Sequence, residues 1–248
     1  MPPKPPAPDS SEHPPITSLQ DPRAIQIMST EHWSLLSARS LAYNEAFTRG
    51  GMFLTFLSMS FVALALVASA MSFTDQFLGI TAIVLAFDLA IGLGTFGRII
   101  AANQDDYRAL HGMARIRHGY TEAAPMLAPY FTSSVHDDVP GVLVSYGSPQ
   151  TSPVGQLTYA LTTSSGMIGL IVALLAGVLV HVLVLLAGLD PALGFVLAAV
   201  AIVLTFLALA AFTARYFRSE QANLPVLFPT PADAAADGTA DGRTDAPG

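Results

Sequence analysis

Four long apolar runs dominate the hydropathy pattern of this chain, at about residues 51–72, 77–98, 166–188 and 192–214. A helix rises about 1.5 Å per residue, so roughly 20 residues cross a hydrocarbon core of about 30 Å, and each run is long enough. Only helices or closed barrels satisfy their backbone groups in lipid, and these continuous runs lack the alternation of a barrel strand. The pattern therefore predicts an all-α polytopic membrane protein with four transmembrane helices.

The short links between the runs pair these helices as two hairpins, 51–98 and 166–214, on either side of a helical loop at 99–165. Neither hairpin link holds a lysine or arginine. The basic residues flank the runs instead: Arg39, Arg49, Arg98, Arg108, Arg115, Arg117, Arg215 and Arg218. The positive-inside rule then predicts that both termini and the central loop lie in the cytoplasm, on the inner face of a bacterial plasma membrane.

The segments that flank the runs are polar or amphipathic. Residues 1–28 are rich in proline and are expected to be a disordered arm, and residues 215–248 are expected to be a disordered acidic tail. Between the arm and the first run, 29–50 reads as an amphipathic cytoplasmic helix capped by Ser29 or Thr30. Its apolar residues share one broad face, which is expected to lie along the lipid headgroups or to pack on the central loop: Trp33, Leu36, Tyr43 and Phe47.

Within the central loop, the second run is expected to continue as a helix to about Tyr120, before Pro125 and Pro129 end the helical pattern. Residues 132–138 have the composition of a loop, and residues 142–144 form a short buried or extended run.

Composition excludes several classes of function. Apolar residues make up 52% of the chain and charged residues only 12%, and the absence of cysteine rules out disulfides and thiolate zinc sites. The net charge of −7 and the scattered arginines leave no basic footprint for nucleic acid. No phosphate loop, nucleophile elbow or kinase signature is present, so we predict neither an enzyme nor a cofactor.

Asp88 is the most informative single residue, because a carboxylate near the middle of a span costs on the order of 3 kcal/mol unless it is protonated, paired or facing a polar cavity. One interpretation pairs it with His181 of the third run in a proton or ion pathway. The other interpretation has a neutral Asp88 joining helices through a hydrogen bond to Thr55, Ser58 or Ser60.

Two further patterns are weaker signals. The glycines at 92, 94 and 97 have the spacing of a dinucleotide fingerprint, but their place in a membrane helix favours close helix packing, as at Ala173 and Gly177. Residues of metal-ligating type occur in the central loop, where a solvated polar face is the favoured interpretation: His111, His118, Glu122, His136, Asp137 and Asp138.

Three stretches resemble a family of uncharacterised actinobacterial four-span integral membrane proteins, over about residues 30–218. They are residues 32–47, residues 115–120 (Arg-Ile-Arg-His-Gly-Tyr) and residues 129–138, which end in His-Asp-Asp. The resemblance implies a bacterial inner-membrane protein with two hairpins around a cytoplasmic loop, and it carries no established activity.

Three hypotheses for the function follow. The leading one is a non-enzymatic membrane scaffold or partner-binding protein, whose expected partners are the lipid bilayer, further copies of the chain in a homo-oligomer and a cytoplasmic protein. The alternative is a small oligomeric proton-linked transporter or channel that uses Asp88. The third is a metal-dependent enzyme that works through His118, His136 and Asp138.

Overall fold

The structure is a computed structural model that describes residues 16–71, 74–146 and 161–231. In these ranges we name the helices α1 (Pro22–Met71), α2 (Asp75–Ala123), α3 (Val139–Val144), α4 (Ser164–Leu186) and α5 (Pro191–Asn223), with a 3-10 helix at Pro125–Tyr130. The same ranges contain no strand. Helices α1, α2, α4 and α5 are each long and apolar enough to cross a membrane, which confirms the all-α polytopic fold.

Helices α1 and α2 form one antiparallel pair that continues well beyond the apolar runs. Residues later in α1 contact residues earlier in α2 by a similar number of positions, so the antiparallel pairing is kept along both helices. The contacts run from the membrane half outward: Ser60 with Asp88, Phe53 with Gly92, Glu45 with Arg98, Leu35 with Gly112, and Met28 with Gly119. We call residues 22–50 of α1 together with 99–123 of α2 the helical extension.

The start of α1 corrects the predicted boundary at residue 29. The helix begins at Pro22, because the Asp21 carboxylate accepts a hydrogen bond from the Arg23 backbone NH at 2.9 Å and proline suits the first helical position. Thr30 does not cap a helix, since its hydroxyl donates to the Gln26 carbonyl inside one. Residues 22–28 are therefore helical, while residues 1–15 of the predicted arm lie outside the described residues.

Helix α2 runs past the apolar run to Ala123, as predicted, and the 3-10 helix starts at Pro125. The run at 142–144, predicted to be buried or extended, lies instead in the short helix α3. Asp138 caps this helix and Pro140 occupies its first turn. Val142 is buried against Tyr107 and Leu110, which are two residues of the inward face of α2.

Small residues let the membrane helices pack closely. A Cβ on Gly92 would lie 2.9 Å from both Phe53 of α1 and Val172 of α4, and one on Gly177 would lie 2.4 Å from Ile202 of α5. This confirms the packing interpretation of those glycines. By contrast, Gly94 and Gly97 have nothing within 4 Å of such an atom, so the packing interpretation is wrong for these two glycines.

The end of α5 corrects the prediction of a disordered tail from residue 215. The helix continues to Asn223, where Arg108 of α2 holds Glu220 at 2.6 Å and the side-chain amide of Gln104 donates to the Tyr216 carbonyl at 3.1 Å. Residues 224–231 then fold back against the end of α2 and the start of α3. Residues 232–248 lie outside the described residues.

Candidate functional site

Asp88 lies fully buried between α1 and α2. The Ser60 hydroxyl donates to its Oδ1 atom at 2.9 Å, while its Oδ2 atom is buried with no hydrogen-bond partner among the described residues. Thr55 and Ser58 instead donate to the carbonyls of Gly51 and Leu54 on their own helix. Of the three hydroxyls named from the sequence, Ser60 is the one that makes the interhelical bond.

His181 lies on the face of α4 that meets α5. Its ring is 4.3 Å from the ring of Phe195, centroid to centroid, and a Cβ on Gly194 would lie 2.7 Å from its Nδ1 atom. In the described part of the chain, no hydrogen bond or ion pair joins it to Asp88. The structure thus gives each of these two residues its own helix–helix contact and does not bring them together.

An apolar groove of about 400 Å³ opens between α2, α4 and α5, near the end of the membrane part that carries the helical extension. The residues that line it carry no charge and include no histidine: Phe96, Thr163, Ser165, Gly166, Gly169, Phe206, Leu209, Ala210, Thr213, Ala214 and Phe217. Neither Asp88 nor His181 lines this groove, so it does not connect them to solvent.

The densest polar cluster is built by Asp137 and Asp138, and we call it the carboxylate clamp. Asp137 is 1% exposed, and its carboxylate accepts the backbone NH groups of Leu227 at 3.0 Å and Phe228 at 2.7 Å. Its own NH donates to the Phe228 carbonyl at 3.1 Å. Asp138 accepts the backbone NH and the hydroxyl of Thr230, both at 2.8 Å. Two adjacent carboxylates therefore fix the segment 224–231 to the loop before α3.

Side chains from α2 complete the carboxylate clamp. Arg115 donates to Asp137 at 2.8 Å and also to the Pro225 carbonyl. The ring of His118 stacks on Phe228 with centroids 3.8 Å apart. Because α2 is a continuous helix from the membrane, it carries the clamp at a fixed distance from the bilayer.

The electrostatics favour an ionised clamp. Burial raises the pKa of Asp137, but hydrogen bonds from the Leu227 NH, Arg115 and the Phe228 NH outweigh it and hold that pKa below its usual value. The pKa of Asp138 is lowered in the same way, as hydrogen bonds from Thr230 and Gly141 outweigh burial. Burial, followed by the nearby Arg115, lowers the pKa of His111, whose Nε2 atom is 3.7 Å from Asp137.

The residues of metal-ligating type named from the sequence are not gathered into one group in the described ranges. No three histidine, aspartate or glutamate side chains in the described ranges are grouped as a metal ion would require. The Asp138 oxygens accept bonds from Thr230 and Gly141, and the ring of His118 stacks on Phe228. The remaining ligand candidate on α2, Glu122, is 3.5 Å from His118 as a simple i,i+4 pair.

A third buried carboxylate, Asp106, joins α1 to α2 within the helical extension. Arg39 of α1 donates to its Oδ1 atom at 2.6 Å, and the hydroxyl of Tyr146 donates to its Oδ2 atom at 2.8 Å. Burial, followed by the charge of Asp106, raises the pKa of the Tyr146 hydroxyl, so that hydroxyl stays a donor. This network locks α1, α2 and the residues after α3 in one arrangement.

The opposite side of α1 faces away from every described neighbour. We call it the α1 outer face: its central positions alternate by four and three residues along the helix and are Trp33, Ser37, Ser40, Asn44, Phe47 and Gly51. Trp33 is 65% exposed and Phe47 82% exposed. Exposed Leu36, Tyr43 and Leu41 flank it. Of the two alternatives for this broad face, packing on the central loop is wrong, because the face is exposed while Leu35, Ala42 and Ala46 face inward. Contact with lipid headgroups stays a prediction.

Charged residues avoid this face although α1 carries several of them. Arg39 turns toward Asp106, and Glu45 pairs with Arg98 at 2.5 Å and with Arg49 at 2.8 Å. Surfaces in water normally keep charges and rarely expose contiguous apolar patches. Charge depletion with aromatic enrichment is the composition of a protein interface.

Sequence reasoning missed both the carboxylate clamp and the exposure of the α1 outer face. Asp137 and Asp138 have the composition of a loop, and their partners lie about 90 residues further along the chain. One signal was present: Val226, Leu227 and Phe228 form an apolar patch within a segment that is otherwise proline-rich and polar.

Comparison of the chain with protein-family models, curated proteins and solved structures gives no match.

Proposed function

We propose that this chain is a non-enzymatic scaffold of the bacterial plasma membrane, which presents the α1 outer face to a protein partner in the cytoplasm. The observation that carries the proposal is the exposed, charge-free aromatic surface on a helix that leaves the membrane. Trp33 lies 18 residues before Gly51, or about 27 Å along a helix that rises 1.5 Å per residue. Headgroups extend only about 5–8 Å beyond the hydrocarbon core, so lipid does not cover Trp33.

The rest of the helical extension supports a presenting role. The Asp106 network and the carboxylate clamp join α1, α2, α3 and the segment after α5. Their contacts lie on the inward side of α1 and leave the central positions of the α1 outer face exposed. A pre-organised surface binds at a lower entropic cost than a flexible one. The polar clusters therefore serve to keep one face of one helix fixed in place.

Photo-crosslinking in native membranes tests the proposal. A benzophenone amino acid at Ser40 lies at the centre of the α1 outer face, and the matched control at Ala38 is exposed but points to a different side of the same helix. We expect a discrete protein adduct from Ser40 and none from Ala38. No adduct from Ser40, or equal adducts from both positions, would refute the proposal.

The cytoplasmic orientation is a part of the proposal that can be tested alone. The chain has no cysteine, so Leu189→Cys in the link between α4 and α5 and Val226→Cys in the clamped segment each create a single thiol. An impermeant maleimide should label Leu189→Cys in intact cells and label Val226→Cys only after the membrane is opened. The reverse pattern would invert the orientation.

The transporter hypothesis keeps one specific observation in its favour, the buried Oδ2 atom of Asp88 with no partner among the described residues. An intramembrane acid of this kind is a default candidate for function. Proton and ion flux in liposomes, compared between the native chain and Asp88→Asn, decides the matter. If the native protein conducts and folded Asp88→Asn does not, transport is favoured. If neither protein conducts, the role of Asp88 is the structural hydrogen bond with Ser60.

A further inference from the structure

We infer that the partner on the α1 outer face is the same face of a second copy of this chain, packed in parallel about an axis normal to the membrane. The inference rests on the proposed function and names the partner. Two copies in one membrane share one orientation, so a two-fold axis relating them runs along the membrane normal and sets α1 beside α1.

The spacing of the α1 outer face fits such a pair. Its positions alternate by four and three residues, which is the heptad seam of a coiled coil, with Ser37, Asn44 and Gly51 at a and Trp33, Ser40 and Phe47 at d. Asn44 is the single asparagine in this seam. A polar asparagine at one a position fixes the register and the number of strands in parallel coiled coils.

The flanking positions also match a second copy. In a parallel pair, a g residue lies against the partner's e residue five positions later, which sets Leu36 against the partner's Leu41 and Tyr43 against the partner's Thr48. These positions usually carry charges in soluble coiled coils. Here all four are uncharged and exposed, so the seam widens into an uncharged interface with aromatic and leucine side chains.

Charge and area agree with self-association. A residue on a two-fold axis meets its own copy, so a charge there would face a like charge, and the seam from Trp33 to Gly51 has none. A large aromatic side chain has a surface of about 200 Å². With the exposed fractions of Trp33, Tyr43 and Phe47, each copy therefore exposes about 400 Å² of aromatic surface on this face. That is about half of the roughly 800 Å² per partner of a standard interface, before the leucines and the membrane half of α1 are added.

Disulfide crosslinking in native membranes tests the inference, because a chain without cysteine reports on one introduced thiol at a time. Facing seam positions should bring two α-carbons within the roughly 4.4–6.8 Å that a disulfide needs. We expect Ser37→Cys and Ser40→Cys to form interchain dimers under mild oxidation at a fraction about tenfold above that of Ala38→Cys, which is exposed but off the seam.

The remaining outcomes overturn the inference in distinguishable ways. Equal crosslinking at all three positions would mean random collision. If neither seam position crosslinks but the benzophenone at Ser40 captures a different protein, the inference fails and the proposed function stands. If neither experiment gives an adduct, both fail.

Discussion

The carboxylate clamp makes the sharpest energetic prediction, through the substitution Asp137→Asn. This change keeps the size of the side chain but replaces one acceptor oxygen with a donor amide. At least one of three donors, the Leu227 NH, the Phe228 NH or the Arg115 guanidinium, then loses its acceptor. The site is 1% exposed, so water does not restore the missing bond.

The magnitude follows from the loss of a buried ionic partner. Leaving a buried donor without its acceptor costs about 1–3 kcal/mol, and the upper value applies here because the buried Leu227 and Phe228 NH groups lose a charged acceptor. Arg115 adds less, since its side chain is 29% exposed and it keeps its bond to the Pro225 carbonyl. At about 1.4 kcal/mol per factor of ten, a loss of about 3 kcal/mol raises the open population of the clamped segment roughly 100-fold. The clamp bonds described above involve no residue of α1, so α1 should keep its stability.

Amide hydrogen exchange of the purified protein measures this directly. Asp137→Asn should speed exchange of the Leu227 and Phe228 amides by about two orders of magnitude, with little change in α1. The matched control is Asp105→Asn, which removes an exposed ion pair with Arg108 that is worth less than about 1 kcal/mol. Unchanged exchange in Asp137→Asn, or an equal effect of both substitutions, would refute the reasoning.

Three further outcomes are expected. Because the pKa of His111 is lowered in the folded protein, its contribution to stability is complete above about pH 6.5 and is lost as the pH falls toward the lowered pKa. The pKa of Asp137 is also lowered, which adds a second loss of stability below about pH 4. Amide exchange in the clamped segment should therefore rise in two steps as the pH falls. Asp106→Asn weakens the bonds that the partly exposed Arg39 and the Tyr146 hydroxyl make to this carboxylate and should lower stability by about 2 kcal/mol, or Tm by roughly 6 °C. Gly92→Val forces α2 away from α1 and α4 and should lower stability by about 1–3 kcal/mol, read as Tm.

Each of these outcomes has a control in the same chain. For Gly92→Val the control is Gly94→Val, where an added side chain meets open space and should leave Tm within about 2 °C. For Asp106→Asn the control is again the exposed neighbour Asp105. Equal effects within either pair, or clamp exchange that does not respond to acid once intrinsic rates are removed, would contradict the account.

The membrane part of this fold was predictable because its signal is local. A run of about 20 apolar residues leaves few alternatives to a spanning helix, and links of a few residues force neighbouring helices into hairpins. The Asp88 bond to Ser60 was one of the weighed alternatives, since the short list of hydroxyls on the first run contained the right one. Which hydroxyl it is depends on helix rotation, which hydropathy does not fix.

The polar part was less predictable because its contacts are distant in sequence. Residues 224–231 have weak intrinsic structure and become ordered only where Asp137 and Asp138 accept their backbone NH groups. The helix predicted at 29–50 lies within the longer α1, and of the two alternatives for its apolar face, packing on the central loop was wrong. Pattern alone favoured the large aromatics such as Trp33, whereas the close approach of α2 requires the small Ala42 and Ala46.

The central claim is that protein covers the α1 outer face in the native membrane, and thiol accessibility tests it most directly. Ser37→Cys and Ser40→Cys should react slowly with a maleimide in opened native membranes and rapidly once the protein is purified and diluted in detergent. Ala38→Cys, exposed on a different side of α1, should react rapidly in both states. Rapid labelling of all three thiols in the native membrane would contradict the account.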